Sequence, residues 1–297
     1  MSRALFAGVL LVLAGCASPP ALQPQVTQDL LPLLQQQGYA IDVDTSIERL
    51  AQARVPGDAQ AMLAGGQGAS EAGRIGGQAG VAGPGAGVAG ALIGSLLVAQ
   101  INASRIQAET DRQAADLVAP LRQAIAAQGL DFWFTQTLQA ELAAGDLGAA
   151  QPESPYRLRF EPQAIFGDEL DRLHLVTEIS LLFGHEVLYR GRIEVIDAAP
   201  WPLDSTANLG LQPWLANDAA AYRQVLHGGL REMLQVLLLD MQTGHFAASN
   251  SSETTLRYQL GGGRFVERGR LLAQTPERSL FMDMRGWLKS VPLQAAR

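Results

Sequence analysis

Apolar and polar positions alternate with period two through Tyr156-Arg157-Leu158-Arg159-Phe160-Glu161, which predicts a half-buried β-strand. Asp168 to Asp171 reads as a solvated turn. His174 to Phe183 reads as a second strand, Gly184 as a tight turn and Glu186 to Asp197 as a third strand, together an antiparallel meander. Farther on the period changes to helical. Val225, Leu226, Leu230, Met233, Leu234, Leu237, Leu238 and Met241 recur at three and four, behind a capping Asn217 or Asp218. Leu117, Val118, Leu121 and Ile125 mark a second apolar stripe within Ser104 to Leu142, with a break at Gly129. Helices with such stripes can cover one face of the meander, so the predicted class is α+β. Thr254 to Leu293 reads as short strands with turns at Gly261-Gly262-Gly263, Thr275-Pro276 and Arg285-Gly286, a small β module that either stands alone or extends the first sheet. Residues 244–253 read as a linker.

Upstream the pattern is less regular. Leu30 to Leu34 predicts a short helix stopped at Gly38, and Tyr39 to Val43 a strand. Residues 46–63 read as a helix broken at Pro56-Gly57. Between Gly65 and Gly94 lie 12 glycines, yet Ile75 to Ser104 carries no charge. Each glycine costs a free helix about 1 kcal/mol relative to alanine, so this run forms no helix on propensity alone. Small residues nevertheless recur every fourth position. Ala79, Gly83, Gly87, Ala91 and Ser95 form one ridge, and Ala82, Ala86, Gly90 and Gly94 another, while Val88, Leu92, Ile93, Leu96, Leu97 and Val98 give a greasy opposite side. Ile75 to Ser104 as helix would be about 45 Å long, enough to enter a bilayer. Pro84-Gly85 is either a kink or the turn of a helical hairpin. A buried helix pair, a membrane-associated or self-associating zipper and a linker are the three readings of this run.

Composition narrows the partners. A net charge of −7, from 22 Lys+Arg against 29 Asp+Glu, argues against a nucleic-acid partner. Lys289 is the only lysine, an arginine bias that reflects genome composition before any phosphate site. The N-terminus adds an address. Met1-Ser2-Arg3 and the apolar Ala4 to Leu13 have the form of a signal peptide, too short to span a bilayer. Leu13-Ala14-Gly15-Cys16 follows at once, and Cys16 is the sole cysteine, so no disulfide can form within the chain.

Those four residues resemble the lipobox of bacterial lipoproteins. The resemblance implies cleavage before Cys16, diacylglyceryl attachment to its thiol and acylation of its amino group, so the expected membrane partner is lipid through acylated Cys16. In that family an aspartate at the next position retains the protein in the inner membrane. Ala17 stands there instead, which points to the outer membrane with the chain facing the periplasm. Together with the small-residue ridges, the N-terminus resembles the glycine-zipper outer-membrane lipoproteins, a likeness covering about residues 1–20 and 65–104. Packing through Ala79, Gly83, Gly87, Gly90, Ala91, Gly94 and Ser95 would then associate the protein with membrane, with copies of itself or with another envelope protein. The family's zipper is apolar in both halves, whereas here only the half after Pro84 is, and the large α+β part has no counterpart in the short members. The expected organisation is a leader at 1–15, a tether and helical segment at 16–63, the zipper at 64–103, the α+β domain at 104–245 and the β module at 254–293.

Candidate chemistry is sparse. His174, His185, His227 and His245 include no pair at i,i+3 or i,i+4, so no metal site is expected; His185 belongs at a turn and His174 far down its strand. No GxSxG occurs, Gly261-Gly262-Gly263-Arg264 lacks the Lys-Ser/Thr of a phosphate loop, and Asp168, Glu169 and Asp171 read as solvated loop acids. Phe132, Trp133 and Phe134 read as core or membrane-proximal packing. The sequence therefore predicts no enzyme and no cofactor beyond the covalent lipid on Cys16. It predicts a structural or assembly lipoprotein of the cell envelope or, as the alternative, an accessory or binding lipoprotein of a transport or secretion system that docks through its meander and long helix.

Overall fold

The computed structural model describes residues 30–53, 88–167, 170–198, 210–242, 252–260 and 263–293, with the helical backbone alone described over 88–107. Its elements are α1 (Leu30–Gln37), β1 (Ala40–Val43), α2 (Ile47–Leu50), β2 (Gln52–Ala53), α3 (Val88–Ala127), α4 (Leu130–Ala144), β3 (Tyr156–Phe166), β4 (Arg172–Phe183), β5 (Glu186–Ala198), α5 (Gln212–Met241), β6 (Thr254–Leu260), β7 (Gly263–Gln274), β8 (Arg278–Asp283) and β9 (Leu288–Pro292). The class is α+β, as the periodicities predict.

The meander β3-β4-β5 is present and longer than its alternating core, since β3 continues past Glu161 to Phe166. Its surroundings settle two points that the sequence leaves open. Residues upstream of the glycine run belong to the sheet: β1 pairs in parallel with Arg157–Phe160 and β2 with Ile165 and Phe166, so the chain steps along one edge of β3 with α2 between the two steps. Within the helix expected over 46–63, Ile47–Leu50 is helical, capped by Ser46 Oγ accepting from Arg49 N, and the chain turns extended at Gln52, while residues 54–63 lie outside the described residues. At the other edge β9 runs parallel to β5, pairing Ile193 with Leu288 and Val195 with Ser290. The C-terminal strands thus extend the first sheet, giving nine strands with β1-β3-β4-β5-β9-β8-β7-β6 in order and β2 also on β3.

Helices cover one face. The stripe on α5 is buried at Leu226, Leu230, Met233, Leu234, Leu237 and Met241, and that on α3 at Val118, Leu121 and Ile125. α3 ends near Gly129, whose φ of 60° suits glycine and allows α4 to fold back, burying Phe134 and Leu138 while Phe132 stays exposed. The cap expected at Asn217 or Asp218 is instead an interruption. α5 opens at Gln212, breaks where Asn217, Asp218 and Ala219 take left-handed backbone, and resumes to Met241. Trp214 and Tyr222, on either side of that break, pack with Phe166 at ring distances of 5.1 and 5.8 Å, and Trp214 Nε1 donates to the Leu170 carbonyl at 2.7 Å. Burial without a charged partner pushes the Tyr222 phenol well above its ordinary pKa; its hydroxyl donates to the Leu50 carbonyl, tying the N-terminal segment to α5.

The opposite face of the sheet is covered too. In a flat sheet β7 would lie about 19 Å from β4, four strand spacings away. The Arg172 guanidinium on β4 nonetheless sits 4.9 Å from the centre of the Phe265 ring on β7. The far end of the sheet therefore coils back over β4 and β5, and a second small core of Ile196, Phe281 and Val291, flanked by Leu256, Tyr258 and Phe265, fills the concave side.

Candidate functional site

Coiling of the sheet brings charged residues from four strands together on that concave side. On β4, His174 Nδ1 lies 2.7 Å from Glu194 Oε1 of β5. Glu194 Oε2 is 3.4 Å from Lys289 Nζ on β9, and Lys289 donates to Glu267 Oε2 of β7 at 2.7 Å. Tyr258 of β6 donates its hydroxyl to Glu267. Burial alone would lower the Lys289 pKa, but Glu194, Glu267 and Asp283 outweigh it and hold the ammonium above the ordinary lysine value. A lysine so held is a countercharge; a nucleophilic or Schiff-base lysine needs the opposite shift. Asp171, expected in a solvated loop, is 2 % exposed and pairs with Arg172 Nη1 at 2.9 Å, a correction with a simple cause: β4 begins at Arg172 and draws the acid inside. Asp168 and Glu169 lie outside the described residues.

On the helical face a separate polar contact is buried. Tyr189 of β5 donates to Asp240 Oδ2 of α5 at 2.8 Å, and burial followed by the nearby Asp240 charge raises the tyrosine pKa strongly. Gly191 makes room for that phenol, because a Cβ there would stand 2.2 Å from Tyr189 Oη. Gly191→Ala should displace the ring and cost about 1–3 kcal/mol as an overpacked core site. Denaturant unfolding checks this, and an unchanged midpoint would contradict it.

An open groove of about 430 Å³ lies between α5 and the strand ends, lined by Asp197, Gln224, Gly228, Arg231, Glu232 and Arg278 among others. Arg278, Asp197 and Glu232 satisfy one another there, and Arg231 pairs with Glu141 of α4 at 3.5 Å. Arg278 donates to Asp197 Oδ1 at 2.6 Å, to the Ile196 and Ser290 carbonyls at 2.9 and 3.0 Å and to Ser290 Oγ at 2.8 Å, while Ser290 Oγ donates to Glu232 at 2.5 Å. Arg278 thereby fastens β8 across β9 to β5. The groove is built as a staple, with its main cation already committed.

The residues expected to carry function fall as follows. Cys16, Ala79, Gly83 and Gly87 lie outside the described residues, as does His245. Gly90, Ala91, Gly94 and Ser95 lie on α3, which runs unbroken from Val88 to Ala127, so the expected boundary between zipper and domain at 103/104 falls inside one helix. Among the described residues no helix is long and apolar enough to cross a membrane, and no cluster of three or more His, Cys, Asp or Glu could hold a metal ion. His174 sits deep in β4 and His185 at the β4-β5 turn, as their spacing predicts, and His227 meets Glu141 at 2.8 Å. The Lys289 cluster was not foreseen; its one sequence signal is that Lys289 is the only lysine. Comparison with protein-family models, with curated proteins and with solved structures yields no match.

Proposed function

We propose that this chain is a lipid-anchored outer-membrane lipoprotein with a structural or assembly role in the cell envelope. Acyl groups on Cys16 hold it to the membrane, its glycine zipper associates with membrane or with further copies of the chain, and its α+β domain faces the periplasm. The observation that carries this reading is Leu13-Ala14-Gly15-Cys16 directly behind the apolar Ala4 to Leu13. The continuity of α3 supports it. Gly90, Ala91, Gly94 and Ser95 share one helix, about 60 Å long, with the core residues Val118, Leu121 and Ile125, so packing at the small-residue ridge sets the position of the domain.

The buried charge clusters support a structural over a catalytic role, since each cation described above is matched to a carboxylate inside the fold. Docking through the meander, as an accessory lipoprotein would require, meets an obstacle: Arg172 to Thr177 is buried on both faces, under helices on one side and under the coiled sheet on the other. Replacing Gly83, Gly87 and Gly90 together with leucine should convert oligomers in detergent to monomers, because bulky side chains separate helices that small ones let touch. Crosslinking in detergent or lipid reads this, and unchanged assembly would sink the zipper's role.

A further inference from the structure

Alternation along the C-terminal hairpin sorts its residues onto two faces. Leu256, Tyr258, Phe265 and Glu267 turn toward the concave core and the Lys289 cluster. Arg257, Arg264, Val266 and Arg268 turn the other way and are all exposed. The register sets Arg257 directly opposite Val266, with Gln259 opposite Arg264 and Thr255 opposite Arg268. Arg264 and Arg268 are then about 13 Å apart along β7, with Arg257 midway between them on the neighbouring strand. Three guanidinium groups thus ring an apolar residue that is 63 % exposed, on the outermost hairpin of a protein whose net charge is −7.

Little neutralises this face. Among the described residues its ion pair is Arg268 with Glu253 at 3.3 Å, both side chains well exposed, an interaction of small strength in water. Glu267, the acid closest in sequence, is turned inward onto Lys289. Arginine forks match phosphate oxygens in bidentate fashion and shed water more readily than ammonium groups. A two-stranded face with an apolar centre presents them side by side on one surface.

We propose that this hairpin docks the domain onto an anionic phospholipid surface, with headgroup phosphates against Arg257, Arg264 and Arg268 and Val266 seated between them. The proposal rests on the reading that the chain is tethered at a membrane, which keeps the hairpin at high effective concentration near lipid. An acidic protein partner would satisfy charge but gives no reason for an exposed valine at the centre.

The test uses the full chain carrying Cys16→Ser, so that no acyl group contributes, floated with phosphatidylcholine vesicles with and without phosphatidylglycerol. The leader carries Arg3 and favours the anionic vesicles in parent and hairpin variant alike, so the change in the ratio of the two partition coefficients between parent and variant isolates the charge of the hairpin. With roughly a fivefold gain per arginine near an anionic surface, three should give a preference of about a hundredfold. Arg257→Gln, Arg264→Gln and Arg268→Gln together should abolish most of that preference with the thermal midpoint preserved, and salt of about 1 M, where the Debye length is about 3 Å, should do the same to the parent. No preference in the parent, or an equal preference in the triple variant, overturns the proposal. So does a variant that keeps the preference but loses a crosslink to an envelope protein in cells. Failure of the lipid-anchor reading would appear separately, as an unprocessed and unacylated chain in cells, and leaves the vesicle comparison readable.

Discussion

Lys289→Met should destabilise the protein by about 3–5 kcal/mol, the usual cost of removing one partner from a buried ion pair. The cause is the pair of carboxylates left behind. Glu194, with its side chain 7 % exposed, and Glu267 would face each other across the coiled sheet with their shared cation gone. Because Glu267 rides on β7 and Glu194 on β5, repulsion between them should act first on the closure of the β6-β7 hairpin over the meander. Hydrogen exchange should therefore quicken in Thr254 to Gln274 more than in β3 and β4. Adding Glu194→Gln and Glu267→Gln to Lys289→Met should recover most of the loss, since the uncompensated charges go with it. The pH dependence has a definite sign. A native lysine pKa raised above the unfolded value of about 10.4 contributes stability that is fully present below that value and disappears as pH climbs through the native one. The gap between parent and Lys289→Met should thus persist through neutral pH and close in strong alkali. A variant that melts with the parent at neutral pH would show that the cluster does not hold the sheet closed.

Cys16→Ala should have the largest effect on location. If the thiol carries lipid, the variant takes up no labelled palmitate, keeps Met1 to Gly15 and no longer fractionates with outer membrane. Each buried methylene of an acyl chain contributes about 0.8 kcal/mol, so loss of several chains removes far more binding than any surface residue supplies. The same variant should melt like the parent, because Cys16 lies well before Leu30, the first buried residue among the described ones. Fractionation and melting together separate an anchoring role from a folding one.

Much of the fold could be read from local pattern because its cause is local. Alternation at Tyr156 to Glu161, the leucine stripe on α5 and the turns at Gly38, Gly129 and Gly184, each with φ between 60° and 66°, depend on residues a few positions apart. What escaped depends on pairing at long range. Nothing in Leu288 to Pro292 distinguishes a strand of a free-standing module from one lying parallel to β5, and the four-residue β1 carries no mark of its partner Arg157–Phe160. The interruption of α5 at Ala216 to Ala219 is set by Trp214 and Tyr222 closing on Phe166, a tertiary demand with no glycine to announce it. The charge cluster escaped for the same reason: His174, Glu194, Glu267 and Lys289 are spread over more than a hundred residues and meet only when the sheet coils. The anchoring proposal rests on a pattern of a different kind, Leu13-Ala14-Gly15-Cys16, which lies outside the described residues.

The most direct measurement is the mass of the N-terminal tryptic peptide of the protein recovered from cell envelopes. Lipid anchoring predicts a peptide that starts at Cys16, ends at Arg49 and carries diacylglyceryl on the thiol and an acyl group on the amine. A chain that begins at Met1, or one whose Cys16 thiol is free, would contradict it.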